Sequence, residues 1–445
     1  MTMELDAGEA ERLWQARQPA EAAAQCEELL RRDPDNARAL LLLGVIRMEA
    51  GNHAEAIELL GRSAGRAPSA IAFRNLGLAL DGAGRTDEAI RACEQAVRLQ
   101  PDYADAHNTL GHCYASQGLT EEAVASFRRA LEIAPGLSVA VENLLPFMPI
   151  EAWAVICNAG LGSGVSRRDA YTFLAYRAAA EWATGWHEEL DGTIAAAGTL
   201  RAALDPADDA GNDLVLLAHC RLLIDLKRRD PRAYAGKPEA TIFTIGDPHS
   251  LSYCGTVARL GGAQARLRPH NLIRSTAWMI SGRKPNRHLA AIDHLLGLLP
   301  RESQVALSFG ELDCRTNAGI LPRWQKTGGS LADLVRREVE AYVGDMAGLA
   351  VRHGHRLHFF AVPAPQRETP YDRQSTPRQR ALLAQVVRLF NESLRTAALA
   401  RACGVIDVYA ASAGPDGFAN GKLHIDAIHM APSVIPVTPV HLPAS

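Results

Sequence analysis

The sequence predicts two folded parts of different class, an α-helical repeat array over residues 1–150 and a parallel α/β domain over residues 238–445. A helical connector over residues 151–237 joins them. Two observations lead to this expectation. Small residues and prolines recur about every 34 positions in the first part. In the second part, short apolar segments alternate with longer helical ones, as in a parallel sheet covered by helices.

The composition is that of a globular protein and excludes several classes. Apolar residues make up 47% of the 445, which is enough to bury several cores. The net charge is −3 and there is no basic block, so nucleic acid is not an expected partner. The chain start has no signal-like apolar core, and no apolar run approaches the ~20 residues that cross a bilayer. We therefore expect a cytoplasmic protein with no membrane partner.

The cysteine and histidine patterns predict no metal and no cofactor. The eight cysteines are scattered and form no CxxC pair, so buried, reduced thiols are expected. His353, His355 and His358 are close enough in sequence to suggest a metal site. However, no carboxylate or cysteine completes the set, and an exposed loop would explain these histidines equally well.

The repeat is visible in residues that recur with one step. Its prolines are separated by 34, 33 and 34 residues, its glycines each follow a leucine, and an alanine completes each unit. The recurring residues are Pro34, Pro68, Pro101 and Pro135; Gly44, Gly77 and Gly111; and Ala22, Ala56, Ala89 and Ala123. Apolar residues between them keep helical spacing, which predicts two antiparallel helices per unit.

This pattern resembles the tetratricopeptide repeat (TPR). The best copy keeps Leu110, Gly111, Tyr114, Ala123, Phe127 and Pro135, whereas Leu60 and Cys93 stand at the Phe127 position in other copies. Residues 137–148 are predicted to close the array as a final helix. The resemblance implies a solenoid whose concave surface binds a protein or peptide partner. The alternative is an array that only stiffens or dimerises the chain.

The connector is predicted to be helical and to join the two folded parts, and its sequence assigns it no function. Its aromatic residues Trp153, Trp182 and Trp186 lie among apolar positions, which is typical of core residues.

Four strands and four helices are predicted in the last part. The strands are residues 240–245, 305–309, 357–362 and 405–409, with a weaker one near 265–268. The helices are about residues 252–260, 286–299, 331–353 and 377–402. Residues 316–330 and 363–380 are predicted to be long loops over the ligand pocket, and either is a candidate lid.

Polar residues follow the predicted strands, where ligands bind in parallel sheets. They form three blocks: Gly246, Asp247, Pro248, His249 and Ser250; Gly310, Glu311, Leu312, Asp313, Cys314 and Arg315; and Asp426 to His429. The order of these blocks resembles the SGNH or GDSL hydrolases. The resemblance implies a flavodoxin-like, three-layer α/β/α domain that hydrolyses esters, with an acylated small molecule, glycan or peptide as substrate.

In that family the last block supplies a histidine base and the aspartate that orients it, and these roles match His429 and Asp426. Two positions depart from the family. Pro248 replaces the nucleophilic serine and also removes a backbone oxyanion donor. Leu312 replaces an asparagine that supplies a second donor, and the family's remaining glycine donor has no single counterpart among Gly261, Gly262 and Gly282.

Several alternatives remain for this site. Ser250 could be a displaced nucleophile, or could instead cap the following helix. His429 could activate water directly among Asp247, His249, Glu311 and Arg315. Arg315 could bind a substrate anion, or form a salt bridge with Glu311 or Asp313. The rival to an altered hydrolase is a catalytically inactive domain that binds a ligand or another protein.

Overall fold

The chain folds into two compact units, Met1–Leu144 and Leu145–Ser445. The computed structural model describes residues 7–162, 164–185, 187–204, 238–247, 253–260, 263–272, 277–281, 286–310, 312–314, 319–366, 376–421 and 438–443, together with 220, 223–224, 227–228, 430 and 435. In these residues no helix is long and apolar enough to cross a membrane.

The first unit is an array of helix pairs, as the periodicity predicts. Its described helices are α1 (Ala7–Gln15), α2 (Pro19–Arg32), α3 (Ala37–Glu49), α4 (His53–Arg66), α5 (Ala70–Gly82), α6 (Thr86–Leu99), α7 (Ala104–Gln117), α8 (Thr120–Ile133) and α9 (Ser138–Leu144). Each odd-numbered helix up to α7 packs on the next helix to form a hairpin, and α9 packs on α7 and α8. A helix is therefore present where the closing helix was predicted, but α9 ends at Leu144 rather than at residue 148.

Local sequence explains where these helices begin and end. The side chains of Asn36 and Ser69 accept hydrogen bonds from backbone N–H groups at the starts of α3 and α5. Gly118 ends α7 with φ of +78°, a left-handed conformation that favours glycine. Gly51 and Gly84 have the same conformation after α3 and α5, so this end signal repeats with the hydrophobic period and made the array predictable from sequence.

The second unit begins with helices and continues into a sheet with its own helices. The first group is α10 (Trp153–Gly160), α11 (Arg167–Thr184) and α12 (His187–Ala202). The second is α13 (Ala277–Ile280), α14 (Arg287–Gly297), α15 (Ile320–Thr327), α16 (Leu331–His353), α17 (Pro377–Leu399) and α18 (Val408–Ser412). Trp153 and Trp182 are buried, which confirms the core prediction for both, whereas Trp186 lies outside the described residues.

The sheet has seven described strands in the order β2-β3-β1-β4-β5-β6-β7. They are β1 (Ala240–Gly246), β2 (Val257–Leu260), β3 (Ala263–Leu272), β4 (Gln304–Ser308), β5 (Arg356–Phe360), β6 (Gly404–Ile406) and β7 (Val440–His441). The five inner strands are parallel, as predicted, and the two edge strands are antiparallel. The sheet is therefore mixed.

Three sequence predictions in this unit were wrong, and a fourth was too long. The predicted strand at 405–409 ends at Ile406, because the Asp407 side chain accepts a hydrogen bond from Ala410 N and starts α18. The predicted helix at 252–260 contains β2, because this short apolar run pairs with β3 across two intervening residues. The predicted loop at 316–330 contains α15, which packs on α16 and α17 and so forms a helix. His355 and His358 are buried rather than exposed, because the His355 ring packs against the carbonyl of Leu296 and His358 lies on β5, between β4 and β6.

Candidate functional site

The first helices of successive repeats line one side of the first unit. The odd-numbered helices from α1 to α9 contact one another in order, while α2, α4, α6 and α8 each pack between two of them. The odd-numbered row is therefore the more closely spaced one, which makes it the inner, concave side of the array.

Two partly exposed polar side chains on this side are held by buried partners. Arg74 on α5 donates from Nη1 to Asn75 Oδ1 at 3.1 Å and from Nε to Thr109 Oγ1 at 3.3 Å. Asn143 on α9 donates from Nδ2 to Asn108 Oδ1 at 3.0 Å. These bonds link α5 to α7 and α7 to α9. We call the five residues the inner polar row.

Burial of the supporting residues fixes the orientation of the exposed ones. Asn75 and Asn108 are each 6% exposed and Thr109 is 2% exposed, so their polar atoms need partners within the protein. Thr109 in turn donates from its hydroxyl to the backbone carbonyl of Asp105 at 2.8 Å. Such bonds leave the Arg74 guanidinium and the Asn143 amide in defined positions at the surface.

Exposed apolar side chains flank the inner polar row. Ile71, which is 50% exposed, precedes Arg74 by three residues, and Val139, which is 43% exposed, precedes Asn143 by four. Residues three or four apart share a helix face, so each apolar side chain lies beside one polar group. The surface therefore offers hydrogen-bonding groups and apolar contacts at two places along the array.

Sequence reasoning missed the inner polar row. A signal was present, because Asn75 and Asn108 come two and three residues before the repeat glycines Gly77 and Gly111. The first repeat has leucines at the equivalent positions, Leu41 and Leu42, so this polar feature does not recur in every unit.

Two residues predicted for the sheet-edge site are placed by the structure. Asp247 directly follows β1, where its backbone N–H donates to Ser308 O on β4 at 3.1 Å. Asp313 lies in a short 3₁₀ helix after β4, and its carboxylate accepts a hydrogen bond from Ala277 N at 2.6 Å. Both side chains are 2% exposed.

The charges of both carboxylates affect the pKa of one buried tyrosine, Tyr342. Burial raises the pKa of Tyr342 well above its ordinary value, and the charges of Asp313 and Asp247 raise this pKa further. The Tyr342 hydroxyl has no hydrogen-bond partner among the described residues. Asp247 and Asp313 thus act on one buried phenol, which sequence reasoning did not identify.

The other predicted site residues lie outside the described residues. They are His249, Ser250, Glu311, Arg315, Asp426 and His429, together with Pro248 and the glycines Gly261, Gly262 and Gly282. Leu312 begins the 3₁₀ helix that contains Asp313, and its side chain is not described. The predicted convergence of these groups at one site therefore stays a prediction.

The three closely spaced histidines have separate partners. His353 Nε2 lies 2.7 Å from Asp293 Oδ1, and His355 Nε2 lies 2.9 Å from the carbonyl of Leu296. His358 Nε2 lies 3.1 Å from the side-chain oxygen of Gln304. Across the described ranges, no group of three histidine, cysteine or carboxylate side chains could hold a metal ion.

The helical array matches a known repeat family. Residues 8–71 and 74–138 match the family model of the tetratricopeptide repeat, so the first unit is a TPR array. The TPR repeat-containing thioredoxin TTL4 of Arabidopsis thaliana is 40% identical over 81 residues, which are 18% of this chain and 12% of that protein. The small glutamine-rich tetratricopeptide repeat-containing protein 2 of Mycosarcoma maydis is 32% identical over 115 residues, 25% of this chain and 33% of that protein.

Solved structures are also similar to this chain. The crystal structure of MamA has 26% identity and a TM-score of 0.29, covering 39% of this chain and 94% of MamA. The structure of YrrB, described as a TPR protein with an unusual peptide-binding site, has 20% identity and a TM-score of 0.29, covering 40% of this chain and 88% of YrrB.

Proposed function

We propose that the TPR array docks an extended peptide segment of a partner protein along the inner polar row. The observation that carries this proposal is the pair of surface groups on Arg74 and Asn143, each held by a buried partner. A guanidinium donates hydrogen bonds and an amide both donates and accepts them. This chemistry suits the alternating N–H and C=O groups of an extended main chain.

Geometry supports an extended ligand of modest length. Packed helices lie about 8–10 Å apart, and an extended chain rises about 3.3 Å per residue. Each spacing between neighbouring first helices therefore spans about three peptide residues, and the two spacings that separate α5, α7 and α9 span about six. Ile71 and Val139 give apolar side chains of the peptide a contact at each end of this stretch.

The test uses the full chain and peptides selected from a random-sequence phage-displayed library. Arg74→Met and Asn143→Ala should each weaken binding of a selected peptide about tenfold in fluorescence anisotropy, since each loses a hydrogen bond to the peptide. Matched controls are Arg85→Met, which removes an arginine paired with Glu88, and Gln117→Ala, which removes an amide bonded to Asp87. Equal losses in variants and controls, or no selectable peptide, would contradict the proposal.

The second unit supports a second candidate function, an SGNH-like acyl hydrolase site with altered chemistry. Its five parallel strands lie side by side in the order β3-β1-β4-β5-β6. Numbered one to five along the chain, these strands have the spatial order 2-1-3-4-5, which is the order of flavodoxin-like sheets. Asp247 and Asp313 follow adjacent strands of this sheet. In this proposal they share a pocket with His249, Glu311 and Arg315, and with His429 as the base that Asp426 orients. An acylated small molecule, glycan or peptide would be its substrate.

This second candidate predicts weak esterase activity that can be restored. The natural chain lacks the serine nucleophile at Pro248 and an oxyanion donor at Leu312, so turnover of p-nitrophenyl acetate should be close to background. Pro248→Ser should raise turnover, and adding Leu312→Asn should raise it further. Activity in the natural chain that disappears in Ser250→Ala would make Ser250 the nucleophile, and loss only in His429→Ala would indicate direct activation of water. Absence of esterase activity in every variant would favour a binding domain without catalytic activity.

A further inference from the structure

A cavity of about 510 Å³ lies in the first unit, between the α1–α2 turn and the end of α3. The described residues that line it are Trp14, Arg17, Pro19, Ile46, Glu49 and Ala50. Its size falls within the range of small-molecule sites. None of these residues belongs to the inner polar row, so the cavity lies outside the surface proposed for peptide docking.

Arg17 holds a backbone conformation that glycine holds in the other repeats. Its φ is +58°, and Gly51, Gly84 and Gly118 have φ of +80°, +74° and +78° after α3, α5 and α7. The Arg17 N–H donates to Trp14 O at 3.0 Å, and each of these glycines likewise donates to the residue three positions earlier. Left-handed backbone is strained for a residue with a Cβ, and strain of this kind is typical of functional sites.

The corresponding place in the next repeat is filled by a side chain. His53, which follows Pro19 by 34 positions, packs so closely on Gly82 that a Cβ at Gly82 would lie 2.6 Å from the His53 ring. Gly82 follows Glu49 by 33 positions, so it is the counterpart of Glu49. The compact proline ring at the start of α2 cannot make the contact that the longer histidine makes. Space therefore remains between the α1–α2 turn and α3.

The cavity has one cation and one carboxylate that can bind a ligand. Arg17 and Glu49 are exposed, and within the part of the chain that the structure describes neither side chain forms a hydrogen bond or an ion pair. In contrast, Arg47 on the same helix as Glu49 pairs with Glu27 and Glu55. Two opposite charges that line one cavity without pairing with each other are complementary to a ligand that carries both charges.

We propose that this cavity binds a free α-amino acid with an apolar side chain. The carboxylate of the amino acid accepts two parallel hydrogen bonds from the planar guanidinium of Arg17. Its ammonium group pairs with the carboxylate of Glu49. Its side chain packs on Trp14 and Ile46, both of which are held by the apolar core of the first helices, where Ile46 is only 6% exposed.

The first test is calorimetric titration of the full chain with L-phenylalanine and L-leucine. Each of three related compounds lacks one group: 2-phenylethylamine lacks the carboxylate, 3-phenylpropanoate lacks the ammonium group, and glycine lacks the apolar side chain. L-Phenylalanine should bind about tenfold or more tightly than each of these, since each loses one set of contacts. Absence of binding of both amino acids would overturn the proposal. Equal affinity for L-phenylalaninamide would overturn it too, because it would indicate a site for a peptide N-terminus.

The second test separates loss of binding from loss of folding. Arg17→Gly and Glu49→Gln should each weaken L-phenylalanine binding about tenfold or more, the loss expected for a hydrogen bond to a charged group. Arg17→Gly also restores the glycine of the other repeats, so its melting temperature should equal or exceed that of the natural chain. Matched controls are Arg91→Met and Glu58→Gln, at exposed helical positions outside the cavity lining. Natural affinity in Arg17→Gly or in Glu49→Gln, or equal losses in the controls, would overturn the proposal.

Discussion

The ring of Phe127 on α8 packs against the backbone of Gly111 on α7, so that a Cβ at position 111 would lie 2.7 Å from two ring carbons. The same relationship recurs in the other repeats. A Cβ at Gly44 would lie 2.7 Å from Leu60, and one at Gly77 would clash with Cys93. Each repeat glycine therefore allows the two helices of its hairpin to approach closely.

Gly111→Ala should destabilise the TPR array by about 1–3 kcal/mol, because the added methyl group overpacks the contact with Phe127. Urea unfolding of the full chain, followed by far-UV circular dichroism, measures this change. Gly61→Ala is the matched control, since Gly61 lies inside α4 and an added Cβ would contact nothing within 4 Å. The control should gain up to about 1 kcal/mol from helix propensity. Equal stability of the two variants would show that the close approach is not required.

Asn391→Ala should destabilise the second unit by about 2–4 kcal/mol. The Asn391 amide lies in α17, accepts from Val362 N and donates to Val362 O, both at 2.8 Å, and is 2% exposed. Alanine would leave both backbone groups without these partners in a buried place. The adjacent exposed residue offers a control, and Glu392→Ala should change the unfolding midpoint little. A similar midpoint in both variants would contradict this role for Asn391.

Stability should fall as the pH drops from about 6.5 to 4, in part because of His358. Burial lowers the pKa of His358 from 6.5 to about 4, with a smaller contribution from the charge of Arg356. The folded state keeps this ring neutral, whereas the unfolded chain takes up a proton on it below about pH 6.5. The free energy of unfolding therefore has its full value above this pH and falls by about 3 kcal/mol as the pH approaches 4. Denaturant unfolding of His358→Asn across this pH range should show a shallower decline than the natural chain. An unchanged slope would exclude this role.

The thiols should react slowly with Ellman's reagent in the native protein. All eight cysteines are free and buried, and burial raises the pKa of Cys26 to about 11 and that of Cys157 to about 12. Little thiolate is therefore present at pH 8, and access is blocked. All eight should react in guanidinium chloride. Glu121→Cys, at an exposed position, serves as a positive control that reacts at once. Rapid reaction of several native thiols would contradict the buried core.

The sequence by itself determined the repeat array, the helical start of the second unit and the five parallel strands. In the array each repeat buries its apolar face against its neighbours, so the residues that decide the fold are about 34 positions apart and their pattern repeats. The inner strands could also be recognised, because a strand buried on both faces is a continuous apolar run, as in Val305 to Leu307.

The edge strands and the candidate site could not be predicted from the sequence, because they depend on contacts between residues that no local pattern specifies. Taken alone, the sequence of β2 is as compatible with a helix as with a strand, and its pairing with β3 decides the conformation. A sequence signal for a hairpin was present in the Gly261-Gly262 dipeptide that separates the two segments. The bond between Asn143 and Asn108 joins residues 35 positions apart. Charge and hydrogen-bonding groups act over a few ångströms of space rather than along the chain, so packing alone decided where these groups meet.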